Sequence, residues 1–142
     1  MFLGQFYHTL DEKGRMTIPA SFREMLLDGA YVTQGFDQNL RLLTTTEFKE
    51  KADNVSRLKD SNPTARKFRR LFFATATKVD LDRLGRVLIP NFLREFAKLE
   101  KDAVIVGVGN AIEIWSPIYW QEQMDDIGDT NSNSGQFVDL EI

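Results

Sequence analysis

One thirteen-residue pattern occurs twice in this chain, and it limits the possible folds more than any other feature. Asp11-Glu-Lys-Gly-Arg15-Met-Thr-Ile-Pro19-Ala-Ser-Phe-Arg23 and Asp82-Arg-Leu-Gly-Arg86-Val-Leu-Ile-Pro90-Asn-Phe-Leu-Arg94 share Asp, Gly, Arg, Ile, Pro and the final Arg at a constant offset of 71. The likeness continues with a one-residue slip, from AYVTQGFDQNLRLL (residues 30 to 43) to AVIVGVGNAIEIW (residues 103 to 115). A fixed internal period marks one supersecondary unit used more than once. Each half of the chain therefore holds one complete unit.

Periodicity and turn chemistry give the unit's content. In the first copy a strand at 5–10 leads into a turn over Asp11 to Gly14, where Gly14 takes a positive φ without steric cost. A short strand at 15–18 follows. Pro19 opens a helix through about Leu27 with Phe22, Met25 and Leu26 on one face, and Asp28-Gly29 ends it. Strands at 30–35 and 40–43 complete the unit. Thr44-x-x-Glu47 is a capping box for a helix through about Leu58, and Ser116-Pro117 starts its counterpart.

Four short strands around one short helix cannot bury much apolar surface, so two units must pair. Interleaving their hairpins closes sheet edges that would otherwise invite aggregation, and a chain with two copies can do this internally. The expected class is α+β and β-rich. The expected division is a first unit at 1–59, a linker and basic helix at 60–76, and a second unit at 77–126. The acidic, small-residue tail at 127–142 is expected to be largely disordered. Within the linker, Asp60-Ser-Asn-Pro63 breaks the chain before a helix from Thr64 to about Ala76. That helix sets Phe68, Leu71, Phe72 and Thr75 on one face, with Arg66, Lys67, Arg69 and Arg70 mostly elsewhere.

The charge distribution matters more than its total. The net charge is −3, yet six of the 21 acids lie from Glu122 onward with no Lys or Arg among them, so the preceding body is positive. Residues 57 to 86 hold nine basic residues against Asp60, Asp80 and Asp82. Phosphates meet local fields, not net charge. The absence of cysteine excludes disulfides, thiolate metal sites and cysteine nucleophiles, and leaves packing or oligomerisation to stabilise a small fold. With no signal-peptide pattern and no long apolar run, the expectation is a cytoplasmic protein.

The motif Asp-x-x-Gly-Arg-x-x-Ile-Pro-x-x-x-Arg resembles the AbrB-type (SpoVT-like) swapped-hairpin regulators. Two tandem copies, with ARKFRRLFFATATKVDLDRLGRVLIP in the middle and VGVGNAIEIWSPIYW near the end, resemble the MraZ family over roughly residues 1 to 124. The resemblance implies two swapped-hairpin units forming a pseudo-symmetric double-hairpin barrel. It further implies a ring-shaped homo-oligomer, nucleoid-associated, that represses its own division and cell-wall operon by occupying tandem promoter repeats of double-stranded DNA. The matching loops here are Asp11 to Arg15 and Asp82 to Arg86. They differ at Glu12 and Lys13 against Arg83 and Leu84, so the two loops need not read the same bases.

The DNA-binding candidates are Asp11, Lys13, Gly14, Arg15, Asp82, Arg83, Gly85 and Arg86. Arginine is the commonest base reader, bidentate to guanine O6 and N7 in the major groove. The competing reading for Arg15 and Arg86 is an ion pair with the Asp four positions earlier that only stabilises the turn. Asp11 and Asp82 would repel phosphate, so each is expected to cap its own turn and hold the Arg fork. Lys13 and Arg83, at the loop tips, suit phosphate contacts that set register. Arg23 and Arg94 could reach phosphate or pair with Glu24, Glu95 or a neighbouring subunit, with a structural role favoured. The basic cluster Arg66 to Arg70 suits either DNA or acids such as Glu47 and Glu50. Trp115, Tyr119 and Trp120 read as a core or interface anchor.

Other functions are less compatible with these residues. One histidine, His8, and no cysteine supply neither an oriented nucleophile and base nor a zinc site. No Gly-rich phosphate loop occurs. No enzyme activity, cofactor, metal, membrane or small-molecule substrate is expected. The remaining alternative is a structural oligomeric scaffold of the same fold without specific DNA binding.

Overall fold

The computed structural model describes all residues, 1–142. The first copy contains β1 (Gln5–Thr9), β2 (Arg15–Thr17), α1 (Ala20–Arg23), β3 (Ala30–Gln34), β4 (Leu40–Thr44) and α2 (Thr45–Ser56). After α3 (Pro63–Thr75) come β5 (Thr77–Val79), β6 (Arg86–Leu88), α4 (Asn91–Phe96), β7 (Asp102–Gly107), β8 (Ile112–Trp115) and α5 (Pro117–Ile127). A last helix, α6, covers Thr130–Val138. The class is α+β: one antiparallel sheet in the order β1-β7-β8-β4-β3-β5, and a separate two-stranded ribbon, β2-β6.

The strand order carries pairing across the repeat. β1 of the first copy pairs with β7 of the second, from Gln5↔Val106 to Thr9↔Asp102. Reciprocally, β5 of the second copy pairs with β3 of the first, from Thr77↔Val32 to Val79↔Ala30. β4 and β8 join the halves at the sheet centre, Leu40 opposite Ile114. Neither copy could close its sheet alone.

The core lies between this sheet and the ribbon with its helices. Met16, Ile18, Phe22 and Leu26 from the first copy meet Val87, Ile89 and Leu93 from the second, above Val32, Leu40, Leu42, Ile105, Ile112 and Ile114. Burying each such side chain contributes about 1.5–3 kcal/mol, so the duplicated Ile before Pro19 and Pro90 is a core requirement. Phe22 is held edge-on between Phe2 and Phe6 at centroid distances of 5.1 and 5.2 Å. The helix after Pro19 is shorter than its apolar pattern suggests. It tightens into a 3-10 turn at Glu24–Leu26, which keeps Leu26 buried and turns Met25 towards solvent.

Thr44 caps α2 as expected, its Oγ1 accepting the Glu47 N–H at 3.1 Å. The reciprocal half of the capping box is not made; the Glu47 carboxylate accepts instead from Asn110 Nδ2 in the other copy, at 3.3 Å. Asn62 caps α3, and Phe72 of α3 extends an aromatic stack on the outer sheet face, with Tyr31 and Phe48 at 4.0 Å and Phe48 and Phe72 at 5.3 Å. Ser116 caps α5. Trp115 and Trp120 are buried in a small second core with Val104 and Val106, and Trp120 Nε1 donates to Gln5 Oε1 at 2.9 Å. The anchor reading of these tryptophans is thus an intrachain one.

The tail departs from the expectation of disorder. Asp129 accepts the N–H groups of Asn131 and Ser132, and the Asn133 amide bonds the carbonyls of Asp126 and Asp129. Local side-chain capping therefore starts α6 where composition alone argues against structure. No helix is long and apolar enough to cross a membrane.

Candidate nucleic-acid interface

Each Asp-x-x-Gly loop is a side-chain-capped turn. Asp11 Oδ1 accepts the backbone N–H of Lys13 at 3.0 Å and of Arg15 at 2.9 Å. Asp82 Oδ1 does the same for Leu84 and Arg86, both at 2.9 Å. The backbone closes each turn through Gly14 N–H to Asp11 O and Gly85 N–H to Asp82 O, both 3.0 Å. Gly14 and Gly85 sit at φ +85° and +74°, the left-handed region that glycine enters freely.

The second carboxylate oxygen holds the arginine. Asp11 Oδ2 accepts from Arg15 Nε at 2.6 Å, and Asp82 Oδ2 from Arg86 Nε at 2.8 Å. These are the local ion pairs of the competing reading, but they use only Nε. Both Nη groups of Arg15 have no hydrogen-bond partner, and Arg86 Nη1 lies 3.7 Å from Asp11 Oδ2. A guanidinium pinned at Nε keeps the terminal fork that bidentate recognition uses. The ion pair and an outward-reading fork are therefore compatible in one geometry.

The carboxylates show the strength of this arrangement. Asp11 is lowered to about 2, chiefly by the Arg15 backbone N–H, with the Arg15 side chain and the Lys13 N–H adding to it and partial desolvation opposing. Asp82 is lowered for the same reasons, led by the Arg86 backbone N–H. Both stay ionised at neutral pH, as the caps require.

The two loops are locked to each other across the repeat. Ile18 N–H donates to Gly85 O at 2.9 Å, and Ile89 N–H to Gly14 O at 3.0 Å. Arg23 Nε donates to Ile18 O, and its guanidinium lies against Gly85; a Cβ there would stand 2.4 Å from Arg23 Nε. Arg94 repeats this with Ile89 O and Gly14, where a Cβ would stand 2.5 Å from Nε and Cζ. Neither arginine pairs with Glu24 or Glu95, so the structural role favoured for them is a brace on the opposite loop.

Between the loops, β2 and β6 pair antiparallel with Arg15 opposite Leu88, Met16 opposite Val87 and Thr17 opposite Arg86. Met16 and Val87 are buried, so strand alternation puts Arg15, Thr17, Arg86 and Leu88 together on the outer face. Arg15 and Arg86, each directly after its turn, lie on one ribbon to which both copies contribute, because each short strand finds its partner in the other copy. Thr17 and Leu88 were missed, although their alternation with Met16 and Val87 was the available signal. Lys13 and Arg83 stand exposed at the loop tips without side-chain partners.

Half of the basic cluster on α3 holds the linker. Arg66 Nη1 donates to Asp60 O at 2.8 Å, Arg69 Nη1 to Asp60 Oδ1 at 2.6 Å, and Arg69 Nη2 to Leu58 O. Two of its four cations thus hold the linker, leaving Lys67 and Arg70 without bonds; none reaches Glu47 or Glu50.

Two copies of one loop-strand-helix unit, exchanging strands within one sheet and presenting duplicated Asp–Arg loops on a shared ribbon, define a tandem-repeat α+β class. The chain belongs to the MraZ family. The family model described as "MraZ protein, putative antitoxin-like" matches it twice, at residues 1–71 and 72–137. Curated relatives named Transcriptional regulator MraZ include those of Herpetosiphon aurantiacus (45% identical over 91% of this chain and 90% of the relative) and Thermomicrobium roseum (47%, over 88% of each). That of Carboxydothermus hydrogenoformans is 49% identical over 84% of each chain.

Proposed function

We propose that this chain is a sequence-specific DNA-binding transcriptional regulator, a repressor of its own division and cell-wall operon. It acts as a ring-shaped homo-oligomer on tandem promoter-proximal repeats. Its fold is read as two swapped-hairpin units making an intrachain double-hairpin barrel, in keeping with β1 on β7 and β5 on β3. Arg15 and Arg86 read bases, Asp11 and Asp82 orient them, Gly14 and Gly85 admit the braces, and Lys13 and Arg83 contact phosphate.

One observation carries this reading: two guanidinium groups share the outer face of a two-stranded ribbon, each pinned at Nε, with both Nη groups of Arg15 unbonded and Nη1 of Arg86 3.7 Å from Asp11 Oδ2. A two-stranded ribbon fits the major groove, and phosphate contacts beside it set the register. The relatives' name, transcriptional regulator, agrees with it.

The test is a gel shift on the DNA upstream of the protein's own gene. Affinity should fall steeply and linearly in log K against log salt. Changing the spacing between repeats by half a helical turn should collapse it, because linked readers then face opposite sides of the duplex. Affinity insensitive to salt and spacing would instead favour a scaffold without specific DNA binding.

A further inference from the structure

The ribbon face is symmetric in its arginines and asymmetric in their neighbours. The offset of 71 that relates Arg15 to Arg86 also relates Thr17 to Leu88. Cross-strand pairing sets Thr17 directly opposite Arg86, and Leu88 directly opposite Arg15. One half of the face is thus a cation beside a small hydroxyl, and the other a cation beside a branched alkyl group. Leu88 is 53% exposed although its neighbours Val87 and Ile89 are buried at 1% and 0%. Its side chain therefore serves no core, and it is not part of an apolar docking patch, since Arg15, Thr17 and Arg86 share its face.

Resting on the DNA-binding reading above, we propose that Leu88 is a specificity-determining residue: it contacts the 5-methyl group of a thymine next to the base pair read by Arg15. The thymine methyl is the one apolar feature of the major-groove edge, and an aliphatic side chain is its complement. Directly opposite residues in an antiparallel pair stand about 4.5–5.5 Å apart at Cβ, so a guanidinium and an alkyl group so placed can meet neighbouring bases. Thr17 offers the Arg86 half a much smaller apolar group, a single methyl beside its hydroxyl. The two halves of the ribbon then prefer different base steps, and a bound chain has a defined polarity on its site.

The experiment measures binding of the full-length protein to its upstream DNA with each thymine replaced singly by deoxyuridine, which removes the methyl and keeps the base pair. The wild type should lose about fourfold in affinity at one thymine per repeat, the value of one buried methyl-sized group. Leu88→Ser, which removes the alkyl group and leaves no methyl, should bind thymine and uracil there equally. Thr17→Leu should gain methyl sensitivity at a second position, on the Arg86 side. Both changes lie on a solvent-facing strand position, and unchanged circular dichroism and melting show that folding is retained. Specific binding by the wild type with no position sensitive to methyl removal would overturn the Leu88 assignment and leave the DNA-binding reading standing. Methyl sensitivity unchanged in Leu88→Ser would overturn it as well. Absence of specific binding by the wild type would remove both.

Discussion

Arg94 lies against Gly14 of the opposite repeat, so close that a Cβ at that glycine would stand 2.5 Å from the guanidinium carbon; Arg23 meets Gly85 in the same way. Each loop that carries a candidate base reader is therefore braced by the helix of the other copy. Folding the repeat onto itself and shaping the arginine-bearing ribbon are one event.

A methyl group at these glycines should be costly for two separable reasons. Gly14→Ala and Gly85→Ala force a left-handed residue, about 1–2 kcal/mol, and also displace an arginine. Gly109 has a similar φ, +88°, with nothing within 4 Å of its Cβ position. Chemical denaturation should show Gly109→Ala losing only the conformational part, and the two loop variants losing at least about 1 kcal/mol more. Equal losses at all three positions would mean that the arginine contact is not tight.

Lysine should not replace the braces. Arg23→Lys or Arg94→Lys keeps the charge but loses the planar group and the Nε bond to Ile18 O or Ile89 O. Each should lower stability by about 1–2 kcal/mol while leaving the salt slope of DNA binding unchanged. A lower slope with unchanged stability in the charge-removing Arg23→Gln or Arg94→Gln would make these arginines phosphate contacts instead.

Acid should remove the stability that the two loop carboxylates contribute. Asp11 is lowered to about 2 in the fold from an ordinary 3.8, and Asp82 is lowered also. A depressed carboxylate stabilises fully above its unfolded value, and that contribution fades as pH falls from about 4 towards about 2. Stability measured between pH 5 and 2 should fall less steeply in Asp11→Asn than in the wild type. Identical pH profiles would contradict the Asx–arginine geometry.

The same carboxylates should separate affinity from specificity. Asp11→Asn with Asp82→Asn removes two negative charges beside the ribbon, so binding to random duplex should strengthen. It also frees Arg15 and Arg86 from their Nε anchors, so the ratio of specific to random binding should drop, by about tenfold for a loss of about 1.4 kcal/mol in discrimination. Competition assays with scrambled DNA read both numbers.

Much of this was legible from the repeat. The offset of 71 and the glycine in each turn placed the loops and the Asp caps, because these are local requirements that the residue types state directly. What escaped depends on long-range partners. Nothing near Arg15 says that its strand will pair with Leu88, nor does anything near Arg23 say that it will cover Gly85; both follow only once β2 meets β6. The local alternation of Met16 and Val87 could still have found Thr17 and Leu88. The helix at Thr130–Val138 escaped for the opposite reason: a single Asp129 cap outweighed a composition that argued for disorder.

The most direct test of the central claim compares wild type with Arg15→Ala/Arg86→Ala on the upstream DNA and on a scrambled duplex of equal length. The expected result is a double variant that melts within a few degrees of wild type, still binds both duplexes in low salt, and prefers its own site by at least about 30-fold less, from about 1–3 kcal/mol lost per arginine. A folded double variant that keeps the full preference would contradict the assignment of base reading to these two residues.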